Sequence, residues 1–189
     1  MTLQKLFLRA RSYRSFDPSV RISEETLRTF VACARLAPSS RNLQAVKFRL
    51  VSDVEECARV FPITRWAGYL SDPEIPPKGH EPTAYIVLCI DTELATVPSF
   101  QKDIGICAQS LLLAATDAEL GGCMIGSFHA GELSDALSLP DHLSPQLILA
   151  LGKPDETVEI TEIQDGDIRY YRENGVHYVP KRSLEELII

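Results

Sequence analysis

The sequence contains no long hydrophobic run. Its longest apolar stretches, Ala84 to Ile90 and Leu111 to Ala115, are far too short to span a bilayer. It also has no block of basic residues, and 26 acidic against 19 basic side chains give a net charge of −7. Nucleic acids and anionic membranes are both gripped through clustered Lys and Arg, so neither is an expected partner. The first ten residues mix Lys5 and Arg9 with short apolar pairs and lack the apolar core and small-residue cleavage site of a secretory signal. Five cysteines (Cys33, Cys57, Cys89, Cys107, Cys123) include no CxxC pair, and four lie in apolar segments where cysteine behaves as a small hydrophobe. Reduced, buried thiols in a cytoplasmic protein are expected, rather than a disulfide or zinc framework. The four histidines (His80, His129, His142, His177) are scattered without metal-ligand spacing, so no metal is expected and solvent-facing or capping roles are. GxxxxGK[ST], GxGxxG after a strand, HExxH and GxSxG are all missing. An enzyme built from this chain would need a cofactor to carry its reaction.

What is present fits one soluble globular domain, spanning residues 1–189, in which helices and strands are interleaved. With 45% hydrophobic and 24% charged residues, a chain of 189 residues can build a full core. Chains of this size bury roughly 70% of the surface that unfolding exposes. Ser23 before Glu24 and Glu25 reads as a capped helix start, Leu27, Phe30, Val31 and Ala34 keep helical spacing, and Pro38 stops the run. Val46, Phe48 and Leu50 alternate with charged residues as a half-buried strand does, and Ser52 or Asp53 caps a short helix through Val60. From Pro62 to Pro82 the chain carries five prolines, two glycines and its only tryptophan, Trp66, which marks an irregular lid-like or binding loop. Ala84 to Ile90 reads as a fully buried strand. Lys102 to Leu120 reads as a helix buried nearly all round, ended by Gly121-Gly122. Strands at Cys123 to Ile125 and Gln146 to Leu151 follow, with a short helix over Ser134 to Leu137 between them. The tail from Thr157 shows one strand-like piece, Val176 to Val179, and a final amphipathic turn.

Three segments carry groups suited to binding. Arg11-Ser12-Tyr13-Arg14 sets two guanidiniums around a hydroxyl, a set that fits a phosphate because Arg grips it through two parallel bonds. Taken alone, two solvated arginines explain it better. Ala37 to Gln44 is dense in small hydrogen-bonding groups. A helix-to-strand turn accounts for Pro38, Ser39 and Ser40, but not for Asn42 and Gln44 at alternate positions leading into a strand. Gly121 and Gly122, with Gly126, would let a flat ligand approach backbone amides, although a helix cap and tight turn are the simpler account.

Together, and in order along almost the whole chain, these segments resemble the nitroreductase family of FMN-dependent NAD(P)H oxidoreductases. The resemblance rests on Arg11-Ser12-Tyr13-Arg14-Ser15-Phe16, on Ala37 through Gln44, and on Asp103, Gly105, Gln109, Leu111, Leu113, Ala114 and Ala115. It continues in Leu120 to Gly126, Leu151-Gly152-Lys153-Pro154 and Val179-Pro180-Lys181-Arg182. It implies a three-layer α/β/α sandwich around a mixed, mainly antiparallel sheet. It also implies a homodimer with FMN at the interface and the tail from 157 to 189 packed on the partner subunit. By the same resemblance, Arg11, Ser12, Tyr13 and Arg14 would bind the FMN phosphate and pyrimidine edge. Pro38, Ser39, Ser40, Asn42 and Gln44 would lie along the flavin, supplied by the partner, and Gly121 and Gly122 would present amides near the ring. Lys181 or Arg182 would add a phosphate contact. Two places depart from the family pattern: Ala10 stands where an arginine is common, and Ala45-Val46 replaces Pro-Trp after Gln44. The implied reaction is ping-pong hydride transfer from NAD(P)H to a small flat acceptor, nitroaromatic or quinone. A non-catalytic flavin-binding or storage protein is the alternative.

Overall fold

The computed structural model describes residues 2–72 and 74–189. In chain order the elements are α1 (Leu3–Arg9), β1 (Phe16–Asp17), α2 (Glu24–Ala34), β2 (Val46–Val51), α3 (Val54–Val60), β3 (Ala84–Asp91), α4 (Gln101–Asp117), β4 (Gly121–Ile125), α5 (Ala130–Leu137), β5 (Leu143–Pro154), β6 (Thr157–Glu162), β7 (Tyr171–Glu173), β8 (Val176–Lys181) and α6 (Leu184–Leu187).

Every residue of β3 is buried because both faces of its sheet are covered. Side chains alternate across a strand, so Ala84, Ile86, Leu88 and Ile90 enter the core beneath α2 and α4. Tyr85, Val87 and Cys89 enter the core beneath α3 and α5. The strand order is β1-β5-β3-β2, with β4 also on β5, and every pairing in this sheet is antiparallel. Helices on both faces make the three layers of an α+β sandwich. Its long strands are held by backbone ladders and by burial worth about 1.5–3 kcal/mol for each large aliphatic side chain.

The helix starts follow the capping chemistry. The Ser23 hydroxyl accepts from Thr26 N–H ahead of α2, and the Asp53 carboxylate accepts from the Glu55 and Glu56 N–H groups ahead of α3. At α4 the structure differs from expectation in two ways. Its buried stripe is Ile104, Ala108, Leu111, Leu112 and Ala115, while Gly105 and Ile106 face outward, so the helix is amphipathic rather than buried all round. It also ends at Asp117, before the glycine pair. Glu119 takes the left-handed conformation (φ 61°), its carboxylate pairs with Arg9 through two bonds of 2.8 and 2.7 Å, and its carbonyl accepts from Lys153. Gly121 and Gly122 are therefore the first residues of β4. Among the described residues, no helix is long and apolar enough to cross a membrane.

The tail folds more fully than the charge pattern implies. β6 pairs in parallel with β8, and β7 pairs antiparallel with β8, making a second three-stranded sheet. Asn174 and Gly175, both at positive φ, make the tight turn between β7 and β8. His177 on β8 is fully buried, against the expectation of solvent-facing histidines. Of the thiols, Cys57, Cys89 and Cys123 are buried, Cys107 is half-buried and Cys33 is exposed on α2; none is disulfide-bonded.

Candidate active site

The clamp segment is seated by close packing. Tyr13 N–H donates to the Gly122 carbonyl (3.0 Å), and its ring lies so near β4 that a Cβ on Gly121 would stand 2.5 Å from Tyr13 Cδ2. A Cβ on Gly122 would stand 2.4 Å from the Ala150 carbonyl oxygen. Both glycines thus have a packing reason independent of any ligand. Tyr13 itself turns away from its neighbours, its hydroxyl donating to the Arg9 carbonyl (3.0 Å), and burial raises its pKa.

Arg11, Ser12 and Arg14 open into a cavity of about 290 Å³, whose far wall is Tyr170, Val179 and Lys181 of the tail and whose floor includes Gln109, Leu112 and Met124. Two ends of the chain therefore bring three cations to one place. Arg11 Nη2 donates to the Phe7 carbonyl (2.7 Å), and Arg14 Nη1 donates to the Ser12 carbonyl (3.2 Å). The Arg14 guanidinium lies 4.8 Å over the Tyr170 ring. Neither arginine has an ion-pair partner among the described residues, and the buried Nε of each donates to nothing. Burial lowers the Arg11 pKa from its usual value, since no carboxylate offsets the lost hydration. Arg182 is not part of this set; it faces α6 and pairs with Glu186 at 3.1 Å.

The serine segment lies elsewhere. Asp103, buried at the start of α4, accepts from the Ser39 hydroxyl (2.7 Å) and the Ser40 N–H (2.9 Å), and Ser39 Oγ accepts from Gln44 N–H (3.0 Å). That latch holds a turn with three residues, Arg41, Asn42 and Gln44, at φ near 54° or 53°. Left-handed backbone of this kind costs a non-glycine residue roughly 1–2 kcal/mol. Pro38, Ser39 and Gln44 line a second cavity of about 210 Å³ with Asp103 and Cys107; Ser40 and Asn42 are exposed beside it. Burial pushes the Cys107 thiol up to about 11. The two cavities share α4 but not a side of it. Cys107 and Gln109 are two residues apart, roughly 200° around a helix of 3.6 residues per turn.

Sequence reasoning missed Tyr170, Glu156 and Arg172, which surround the clamp from the tail. Gln109 and Asp103 were legible only as members of a family pattern. Asp91, Glu93 and His142 come together at the end of β3, where Lys47 already stands 3.8 Å from Asp91.

Comparison with known proteins identifies the family and the fold. The family model described as "Nitroreductase family" matches residues 8–72 and 79–153. NADPH-flavin oxidoreductase of Vibrio harveyi is 31% identical over 165 residues, covering 79% of this chain and 65% of that protein. FMN reductase (NADPH) of Bacillus subtilis (strain 168) is 29% identical over 170 residues, covering 78% of this chain and 64% of that protein. The chain thus spans slightly less than two thirds of either relative. Among solved structures, nitroreductase A from Vibrio parahaemolyticus is similar with a TM-score of 0.66 at 29% identity, over 85% of this chain and 71% of that one.

Proposed function

The chain belongs to the nitroreductase family, and on that premise we propose that it is an FMN-dependent oxidoreductase acting as a homodimer. It would move hydride from NAD(P)H to a small flat acceptor of the nitroaromatic or quinone type by a ping-pong sequence. The observation that carries this reading is the convergence of Arg11, Arg14 and Lys181, without ion pairs among the described residues, on one cavity of a chain whose net charge is −7. Unneutralised cations in a half-buried cleft call for a multiply charged anion, and a flavin phosphate supplies one.

When bound, FMN supplies the redox chemistry, accepting hydride and passing electrons on; the protein binds, orients and tunes it. Arg11 and Arg14 hold the phosphate through charge-assisted bonds, and Lys181 adds a third positive charge. Ser12, exposed at the mouth, offers a hydroxyl to the same anion. The serine segment is pinned by Asp103, so Ser39, Ser40, Asn42 and Gln44 keep one orientation toward a flavin edge. Within one chain this segment and the clamp face different sides of α4, so they can share a flavin only across two subunits. Exposed Leu184, Leu187, Ile188 and Ile189 at the end of the tail, with Leu3, Phe7 and Leu8 of α1, offer apolar surface for that association.

The visible spectrum of the purified protein, followed by anaerobic addition of NADPH and then NADH, tests the reading. A flavin band bleached by either donor is expected. A bound flavin that neither donor bleaches would make the protein a flavin carrier, and a protein that stays colourless after FMN is added would remove the proposal altogether.

A further inference from the structure

One carboxylate stands against the cation cavity. Glu156, between β5 and β6, keeps only 8% of its side chain exposed. One of its oxygens accepts the backbone N–H of Arg14, and the other accepts Arg172 Nη2 at 2.8 Å. Arg172 is a residue of β7 and does not line the cavity. Its other terminal nitrogen lies 3.3 Å from Asp72 in the Pro62 to Pro82 loop. The Arg14 guanidinium and the Glu156 carboxylate flank one aromatic pair: the guanidinium lies 4.8 Å over the Tyr170 ring, and that ring stands 5.5 Å from the His177 ring beside Glu156. His177, 3.8 Å from Glu156, is completely buried and has no hydrogen-bond partner among the described residues on either ring nitrogen, so it offers Glu156 no settled counter-charge.

A nearly buried carboxylate and a guanidinium in one neighbourhood ordinarily pair. Opposite charges attract more strongly where water is partly excluded. Such a pairing would cancel one of the charges the phosphate needs. Glu156 does not make it; its second oxygen is held by Arg172. We propose that Arg172 is a positioning residue for the anion site: by occupying Glu156 it leaves the Arg14 guanidinium free to bind phosphate. This rests on the reading of the cavity as the phosphate site. Removing Arg172 would leave Glu156 buried without its cation, and the nearest replacement is the guanidinium of the residue whose backbone it already holds. The clamp would then neutralise itself.

The test is a cycle of four proteins: wild type, Arg172→Met, Glu156→Gln and the double variant. FMN affinity is read from flavin fluorescence, and inorganic phosphate affinity from equilibrium dialysis at low salt, with thermal unfolding alongside. Arg172→Met should weaken both ligands by about tenfold or more. Glu156→Gln keeps an acceptor for the Arg14 N–H and removes the competing charge, so it should bind at least as tightly as wild type. The double variant should return to within about threefold of Glu156→Gln, with every affinity read well below each variant's melting temperature, so that relief of a buried unpaired charge and refolding cannot by themselves produce the rescue. If Arg172→Met does not fold, Arg172→Lys takes its place, with a smaller loss that Glu156→Gln again recovers. Unchanged affinity in the Arg172 variant overturns the proposal, as does a double variant that stays as weak as the single one. A wild-type protein that binds phosphate but not FMN would remove the flavin reading while the phosphate cycle still decides this one. If wild type binds neither, there is no anion site for Arg172 to protect and the proposal falls.

Discussion

Replacing both clamp arginines by alanine should separate binding from folding. In the free protein each guanidinium makes one hydrogen bond to a nearby carbonyl, Arg11 to Phe7 and Arg14 to Ser12, at exposed positions where water can take over. Such bonds contribute about 0.5–1.5 kcal/mol each, and the stacking of Arg14 on Tyr170 adds about 0.5–1 kcal/mol. Against this stands the relief of repulsion among three cations in one cavity. The fold should therefore lose only about 1–2 kcal/mol. Toward a bound phosphate, the same two side chains make charge-assisted bonds of about 1.5–3 kcal/mol each. Their joint removal should cost about 3–6 kcal/mol of binding, which raises the FMN dissociation constant by roughly two to four orders of magnitude. Urea denaturation gives the first quantity and flavin fluorescence titration the second, both in about 0.1 M salt, where charges beyond roughly 10 Å are screened. A fall in affinity below tenfold, or a loss of stability as large as the loss of binding, would refute the assignment of Arg11 and Arg14 to the phosphate.

The buried His177 supplies a pH test. Desolvation, with Arg14 and Arg172 nearby and Asp72 in partial opposition, lowers its pKa from the usual 6.5 to about 4. The unfolded chain then binds a proton that the folded chain refuses between those values, so stability is full above about pH 6.5 and falls toward pH 4, by about 3 kcal/mol. A His177→Phe variant should show a shallower fall; identical slopes in denaturation at pH 4 to 7 would contradict the assignment. Asp103→Ala should cost about 3–4 kcal/mol, because two bonds to a buried carboxylate vanish and three left-handed residues lose their latch; a loss below 1 kcal/mol by urea denaturation would mean the turn holds itself. Gly122→Ala should destabilise more than Gly121→Ala, because its Cβ meets the backbone of β5 whereas that of Gly121 meets a tyrosine ring and a proline able to shift. Equal melting temperatures for the two variants would show that the β5 backbone yields as easily as a side chain.

The elements that the sequence displayed most plainly are those stabilised by local pattern. The Ser23 cap and its two acids, the alternation through Val46 to Leu50, and the unbroken apolar run of β3 each carry their own reason for being helix or strand. β6 and β7 are harder to read because they are short and mostly exposed, with no buried apolar face to mark them. Asn174-Gly175 marks the turn, but the strands beside it are fixed by pairing with β8 rather than by burial. The end of α4 was misread for a related reason. A glycine pair is a good helix stop, yet here Arg9 and Lys153 hold Glu119 in the stop position, and the glycines are needed where Tyr13 and β5 crowd β4.

The binding groups divide along the same line. Residue type alone singled out two arginines, a hydroxyl-rich turn and a late lysine, because phosphate and flat-ring chemistry restrict which side chains can serve. Which of them meet is a different matter. Arg11 and Lys181 come together only because the tail sheet folds back beside α4, while Arg182, one residue on, points to α6. The serine turn and the clamp stand apart because α4 lies between them. No local pattern announces that Glu156 will face Arg14, or that Arg172 will hold it, since those contacts join segments far apart in the chain. Local chemistry is set by what each residue can bond to; convergence is set by how the strands and helices pack.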